Sequence, residues 1–267
     1  AGEAGGILDT ILQRLATYIE KTVKLKSQVK SALVYPASVV TIAVVVVYVI
    51  LWKVIPVFAT LFEGLGGQLP FLTQVVVNLS RFIGNFWWLI MILVFGGIFG
   101  IRQYYQTDAG RYQIDKIMLK TPVLGMLLRK IAVARFCRTL GTLLSSGVAI
   151  LESLDITART AGNAVIEEAI LKVRKEVEEG KTIADPLTRS EQFPPMVCQM
   201  IAVGEQTGAM DTMLSKIADF YEDEVDAAVE GMMSLIEPVI IAFLGVVIGT
   251  IVVAMYLPMF SLISQIG

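Results

Sequence analysis

Five carboxylates between residues 219 and 226 form the densest group of possible metal ligands in the chain. They are Asp219, Glu222, Asp223, Glu224 and Asp226. Carboxylate oxygens gathered in this way are the ligands that Ca²⁺ and Mg²⁺ prefer. The cluster lies, however, in a segment with helical periodicity, where a run of acidic residues is more commonly a solvated helix face. We expect a solvated face and no metal site.

The remaining candidates for chemistry are also weak. Gly180-Lys181-Thr182 resembles the end of a phosphate-binding loop, but the first glycine of that pattern is replaced by Lys175, and a helix precedes it in place of a strand. The chain has no His, which removes the commonest general base and most zinc sites. Cys137 and Cys198 lie on predicted helices and are expected to be buried structural thiols. We therefore predict a protein that is not an enzyme and has no cofactor.

Composition points to a membrane protein. The hydrophobic fraction is 55% and the mean hydropathy is +0.69. Three stretches carry no charge, over 22 residues from Ser31, 20 from Phe82 and 30 from Pro238. About 20 apolar residues suffice for a helix to cross a bilayer. The sequence predicts transmembrane helices at 36–58, 83–102 and 238–260, with a short loop at 59–82 and a tail at 261–267.

Lysine and arginine predict the orientation of these spans. Basic residues precede the first span and follow the second, while the loop at 59–82 has only Arg81 and nothing after the third span is charged. The positive-inside rule then places 1–35 and 103–237 in the cytoplasm and the loop and the C-terminus outside.

The two ends of the chain repeat each other. Adding 202 to a position pairs Gly2 with Gly204 and Pro36 with Pro238, and the match runs without a gap from 1–65 to 203–267. The second copy is preceded by a helical segment that the first copy lacks. We therefore expect 1–35 to be the C-terminal remnant of a first cytoplasmic helical domain, and the natural chain to begin more than about 70 residues upstream.

The segment 103–237, with its core at about 131–237, has helical periodicity throughout and no run with period two. It predicts an all-α domain, a bundle of about six helices. Gly204 to Gly208 is expected to form the turn between the last two helices. Gly208 is expected to open the last helix, with Asp211 in its first turn, where the helix dipole favours a carboxylate. Further breaks are predicted at four sites, which are Ser146–Gly147, Ala161–Asn163, Glu179–Lys181 and Phe193–Pro195.

An ordered set of short motifs resembles the inner-membrane platform proteins of type IV pilus assembly and type II secretion, the PilC/GspF family. The resemblance covers essentially the whole chain, although Ala149 stands where the family often has Pro. The motifs are ARFCRTL at 134–140, LL at 143–144, SGV at 146–148, FP at 193–194, QMI at 199–201, VGE at 203–205 with Gly208, EP at 237–238 and MYLPMF at 255–260.

The resemblance implies a role without catalysis at the base of a bacterial inner-membrane machine. Such proteins couple a cytoplasmic hexameric ATPase to the insertion or removal of pilin or pseudopilin subunits, alongside other inner-membrane assembly proteins and further copies of themselves. MYLPMF favours the pilus branch, and a type II secretion platform is the alternative. A transporter or channel is disfavoured, because no span carries central charges. No nucleic-acid partner is expected.

Three charged residues of these motifs, Arg135, Arg138 and Glu205, are candidates for partner contact, and an internal bracing role is an equal alternative. A second set comes from the repeat. Lys21 and Lys24 of the first copy stand opposite Asp223 and Asp226 of the second. The basic arm could simply meet anionic lipid. The acidic arm favours a hypothesis in which the two arms pair about a pseudo-twofold axis, within one chain or between subunits.

Overall fold

The computed structural model describes residues 8–64 and 70–266, and within these ranges the chain is helical apart from short turns, with no strand. Ten α-helices and one π-helix follow one another in the described residues. They are α1 (Leu8–Val49), the π-helix (Ile50–Val54), α2 (Ile55–Gly64), α3 (Phe71–Tyr105), α4 (Asp108–Lys120), α5 (Leu124–Ser145), α6 (Ile150–Thr160), α7 (Ala164–Glu178), α8 (Ala184–Arg189), α9 (Pro195–Thr207) and α10 (Met210–Ile266).

Three helical segments are long and apolar enough to cross a membrane, and they confirm the number of predicted spans. They are Val34–Phe62, Phe71–Tyr105 and Met210–Phe260. The prolines at the predicted membrane entries do not begin new helices. Pro36 lies inside α1 and Pro238 inside α10, so each helix continues from the polar arm into the apolar stretch.

The π-helix Ile50–Val54 interrupts the first span just before Pro56. Proline has no N–H and its ring crowds the carbonyl four residues earlier, so the α-helical ladder cannot continue there. The Ile55 N–H instead reaches the Ile50 carbonyl, a step of five residues. The equivalent stretch of the second copy, 252–256, is α-helical. The two ends of the chain therefore differ locally where their sequences align, and the internal repeat stays a prediction.

Two compact units share the chain. We call Ala32–Gln103 with Met233–Gly267 the membrane unit, and Ala1–Ser31 with Tyr104–Met232 the bundle unit. The core of the membrane unit joins Leu51 and Ile55 to Val76 and Val77 of α3 and to Ala254 of α10.

The bundle unit has one apolar core to which α5 to α9 and the first part of α10 contribute. Phe136, Leu154, Ile170, Ile201 and Ile217 are all fully buried in it. The four other predicted breaks fall between its helices, but the turn predicted from Gly204 is wrong in its first part, because α9 continues to Thr207 with Gly204 buried inside it. Gly208, at φ +71°, is the left-handed C-cap of α9, and Asp211 lies in the first turn of α10. The fold class is all-α, and the six-helix bundle as a closed unit remains a prediction.

Candidate functional site

Charged side chains join α5 to the first part of α10, and we call them the brace. Arg138 donates from Nε to Glu222 at 2.8 Å and from Nη2 to Asp219 at 2.5 Å. About two helical turns before Arg138 on α5, Lys130 Nζ lies 2.7 Å from Glu224 Oε2. Burial by itself lowers the pKa of Arg138, but its hydrogen bonds to Glu222 and Asp219 outweigh that effect and raise it. The guanidinium is therefore charged at every physiological pH.

The brace includes three of the five carboxylates that the sequence analysis considered as metal ligands. Asp219, Glu222 and Glu224 pair with basic residues of α5, and the Glu222 side chain is only 20% exposed. The expected solvated face therefore describes Asp219 and Glu224, whose side chains are 54% and 40% exposed, better than it describes Glu222. Among the described residues no group of three or more His, Cys, Asp or Glu side chains is arranged to hold a metal ion. The sequence carried no signal for the pairing, because the paired residues lie 81 to 94 positions apart in the chain.

The Glu205 side chain caps the N-terminus of α8. Its two carboxylate oxygens accept the Ile183 N–H at 2.9 and 3.1 Å. A helix leaves its first N–H groups without intrahelical partners, so the carboxylate satisfies one of them and complements the helix dipole. The carboxylate also stands next to the Gly180-Lys181-Thr182 loop, where a negative charge opposes phosphate binding. The position of Glu205 therefore also argues against nucleotide binding by this loop.

Arg135 packs against the turn between α6 and α7. Gly162 there has φ +79°, and a side chain added at Gly162 would collide with the Arg135 guanidinium. Thus all three candidates for partner contact, Arg135, Arg138 and Glu205, have neighbours inside the bundle unit. Their role toward a partner remains a prediction.

A buried carboxylate that the sequence analysis did not single out links α4 to its neighbours. Asp115 is 3% exposed. It accepts the Tyr105 hydroxyl at 3.0 Å and the Ala164 N–H at 2.7 Å. Asn163 accepts the next two N–H groups of α7, as the usual N-cap does. The end of α3, α4 and the beginning of α7 are therefore joined through one side chain.

The two thiols are placed as expected. Cys137 and Cys198 are both buried and free. Desolvation raises the pKa of Cys137 strongly and also raises that of Cys198. Because the thiolate is the reactive form, both are poor nucleophiles.

The membrane unit contains an apolar cavity of about 750 Å³. Residues of all three spans line it, among them Val44, Trp87 and Phe243. Two polar side chains of this unit bond to the backbone: Thr73 donates to the Ala254 carbonyl at 2.6 Å, and Ser80 donates to the Leu51 carbonyl within the π-helix. The cavity can therefore accommodate apolar groups and offers them no polar partner.

The side chains of Lys21 and Lys24 lie outside the described part of the structure. Asp223 and Asp226 are described on α10, next to the brace. Pairing of the two arms stays a prediction.

Comparison with known proteins adds a second line of information. The chain matches the family described as Type II secretion system (T2SS), protein F over residues 1–56 and 136–258. It is 53% identical over 266 residues to the type IV pilus assembly protein PilC of Myxococcus xanthus, covering 100% of this chain and 64% of that protein. It is 42% identical over 269 residues to PilC of Pseudomonas aeruginosa, covering 100% of this chain and 72% of that protein.

The chain is also 35% identical over 269 residues to the type II secretion system protein F of Xanthomonas campestris, covering 100% of this chain and 66% of that protein. The chain thus spans about two thirds of the length of these curated relatives. The identity to both pilus proteins is higher than to the secretion protein, as the MYLPMF motif predicts. The matched ranges include the beginning of the chain, Arg138 with its two carboxylates and most of the third candidate span, and the chain belongs to the type II secretion system protein F family.

Proposed function

We propose that this protein is the inner-membrane platform of a type IV pilus, and that it couples a cytoplasmic assembly or retraction ATPase to the insertion or removal of pilin at the filament base. The 53% identity to a pilus assembly protein across the whole chain carries the proposal. Because the aligned region includes the three candidate spans and the bundle unit, the identity favours the same architecture in both proteins. A type II secretion platform acting on pseudopilins is the second candidate, favoured by the 35% identity to a protein F.

The platform role needs no catalysis by this chain. The sequence has no His and no complete phosphate-binding loop, and its only lookalike of such a loop lies beside the Glu205 carboxylate. Energy for moving pilin then comes from the ATPase. The excess of Lys and Arg beside the spans supports a cytoplasmic position for the bundle unit, on the same side as such an ATPase.

A partner that contacts Arg138 would also affect the ion pairs that this residue forms inside the bundle unit. Arg138 holds α5 to α10, and α10 continues from the bundle into the third candidate span. A partner that competes for the Arg138 guanidinium would loosen the brace at the base of that span. Other inner-membrane assembly proteins and a second copy of this chain complete the proposed partners.

Reconstitution tests the proposal directly. The protein in nanodiscs is mixed with a purified hexameric pilus ATPase and, in parallel, with a type II secretion ATPase, and phosphate release is measured. We expect no hydrolysis above that of empty nanodiscs from the protein alone, and a several-fold change in turnover of the pilus ATPase only. Hydrolysis by the isolated protein, or an unchanged pilus ATPase, would argue against the coupling role. A response of the secretion ATPase alone would favour the second candidate.

A further inference from the structure

The turn between α4 and α5 carries an exposed apolar surface, which we call the turn patch. Its residues are 41–66% exposed, and they are Ile117, Met118, Val123, Leu124 and Met126. Between residues 108 and 232 only four other large apolar side chains of the described residues are exposed, and they are scattered over α7, α9 and α10. Single exposed apolar residues are ordinary, whereas a contiguous group marks an interaction surface.

The turn patch belongs to a rigid turn. The Gly125 N–H donates to the Thr121 carbonyl and the Leu124 N–H to the Pro122 carbonyl, both at 2.8 Å. Val123 is held at φ +67°, a conformation that a β-branched residue adopts only when its surroundings impose it. A Cβ added at Gly125 would overlap the Leu119 carbonyl, so α5 begins in close contact with the end of α4. The fold therefore presents these apolar side chains outward in a fixed arrangement.

Charge around the turn patch has one sign. Residues 116–130 contain four basic side chains and no acidic one. Lys130 belongs to the brace, but Lys116 and Lys120 are exposed one helical turn apart on α4, beside Ile117. Neither forms an ion pair with another residue that the structure describes, and the Lys116 ammonium lies 5.7 Å from the centre of the Tyr112 ring. Their long aliphatic stems can lie along an apolar layer while the ammonium groups remain in its polar surface.

The chain reaches this surface soon after leaving a candidate span. The span Phe71–Tyr105 ends two residues before α4 begins at Asp108. The Thr107 N–H turns back to the Tyr104 carbonyl, and Thr107 caps α4 by accepting the Gly110 N–H. A helix of 13 residues is about 20 Å long, so the turn patch is within that distance of the span's end along the chain.

We propose that the turn patch inserts into the surface of the bilayer and that Lys116 and Lys120 bind anionic lipid headgroups around it. Apolar side chains next to lysines are the composition of interfacial membrane segments. The centre of a protein–protein interface is instead depleted in lysine, so lipid fits the flanking charges better than a second protein does. The bundle unit would then contact the membrane at a point other than its covalent links to the spans. This proposal rests on the candidate spans and not on the pilus function.

Depth-dependent quenching tests the position of the turn patch. Met126→Cys, and Val203→Cys as an exposed control on α9, are labelled with an environment-sensitive fluorophore in the full chain and reconstituted into vesicles of phosphatidylcholine with phosphatidylglycerol. The unsubstituted chain, whose thiols are buried, gives the labelling background. Spin-labelled lipid should quench the label at 126 at least threefold more than the label at 203, and aqueous iodide should show the reverse order.

Two further variants test the charges. Lys116→Gln with Lys120→Gln should lower lipid quenching at 126 at least twofold in these vesicles. Lys172→Gln with Lys181→Gln, which makes the same charge change elsewhere on the bundle unit, should leave it unchanged. Iodide reaching the label at 126 as freely as the label at 203 would overturn the proposal. A label at 126 shielded from iodide but not quenched by lipid would also overturn it, because a protein, such as a second copy, would then cover the turn patch.

Discussion

Arg138 joins α5 to α10 within the bundle unit. Its side chain is 13% exposed and bonded to two carboxylates of a helix that begins about 70 residues later. Removing one partner of a largely desolvated pair leaves the other charge without compensation, which costs more than the pair itself contributes. The residue therefore holds the first part of α10 against α5 within the bundle unit.

Arg138→Ala should lower the thermal stability of the bundle. We expect a loss of about 2 kcal/mol, because Glu222 keeps its burial and loses its partner. For a chain of this size the loss corresponds to about 4–8 °C in the Tm, measured by thermal unfolding in detergent. Arg159→Ala is the matched control, since Arg159 is 73% exposed and, among the residues that the structure describes, pairs only with Asp155 on its own helix. Its effect should stay below about 0.5 kcal/mol. Equal shifts for the two variants would show that the brace is not stabilising.

At the scale of helices, much of the fold follows from local sequence signals. The three spans follow from long charge-free stretches, and the turns follow from glycine and proline, as at Gly162, Gly208 and Pro195. The π-helix was not predicted, because a proline in a helix permits an end, a kink or a shift in hydrogen bonding. Here the hydrogen bonding shifts, and Ser80 donates to the Leu51 carbonyl at that point. The strained Val123 turn was not predicted either, since a β-branched residue at positive φ contradicts its intrinsic preference.

The candidate site was harder to predict than the spans. Motifs drew attention to Arg138 and Glu205, but their partners come from distant segments and depend on how the helices pack. Asp115 gave no signal at all: a lone acidic residue on an amphipathic helix resembles a surface residue until α7 packs against it. Long-range pairing of this kind is not encoded in local spacing.

The junction between α3 and α4 should tolerate no side chain at Gly110. A Cβ there would lie 2.0 Å from the Tyr104 carbonyl oxygen, so the backbone would have to move. Gly110→Ala should cost about 1–3 kcal/mol and lower the Tm by several degrees. Gly231→Ala on α10 meets nothing within 4 Å and should be neutral or stabilising by up to about 1 kcal/mol. A neutral Gly110→Ala would mean that α4 does not turn back so closely.

At the scale of the whole molecule, the account predicts that the arms before the first and third spans pair through unlike charges. Reversing Lys21 and Lys24 to Glu should reduce the assembled fraction in sedimentation of the detergent-solubilised protein, and adding Asp223→Lys with Asp226→Lys should partly restore it. Exposed pairs contribute only about 0.2–1 kcal/mol each, so the effect concerns which surfaces pair more than stability. Lys172→Glu with Lys181→Glu controls for charge alone. A fourfold variant that assembles no better than the double variant would refute the pairing.

A segment exchange tests whether this chain serves as a pilus platform. The segment of Myxococcus xanthus PilC that aligns with this chain is replaced by the chain itself, and surface pili are counted in a strain lacking its own PilC. The corresponding segment of the Xanthomonas campestris secretion protein F serves as the matched control. The account predicts pili with this chain, and few or none with the secretion segment. A chimera that is present in the membrane at the normal level but forms no pili would contradict it.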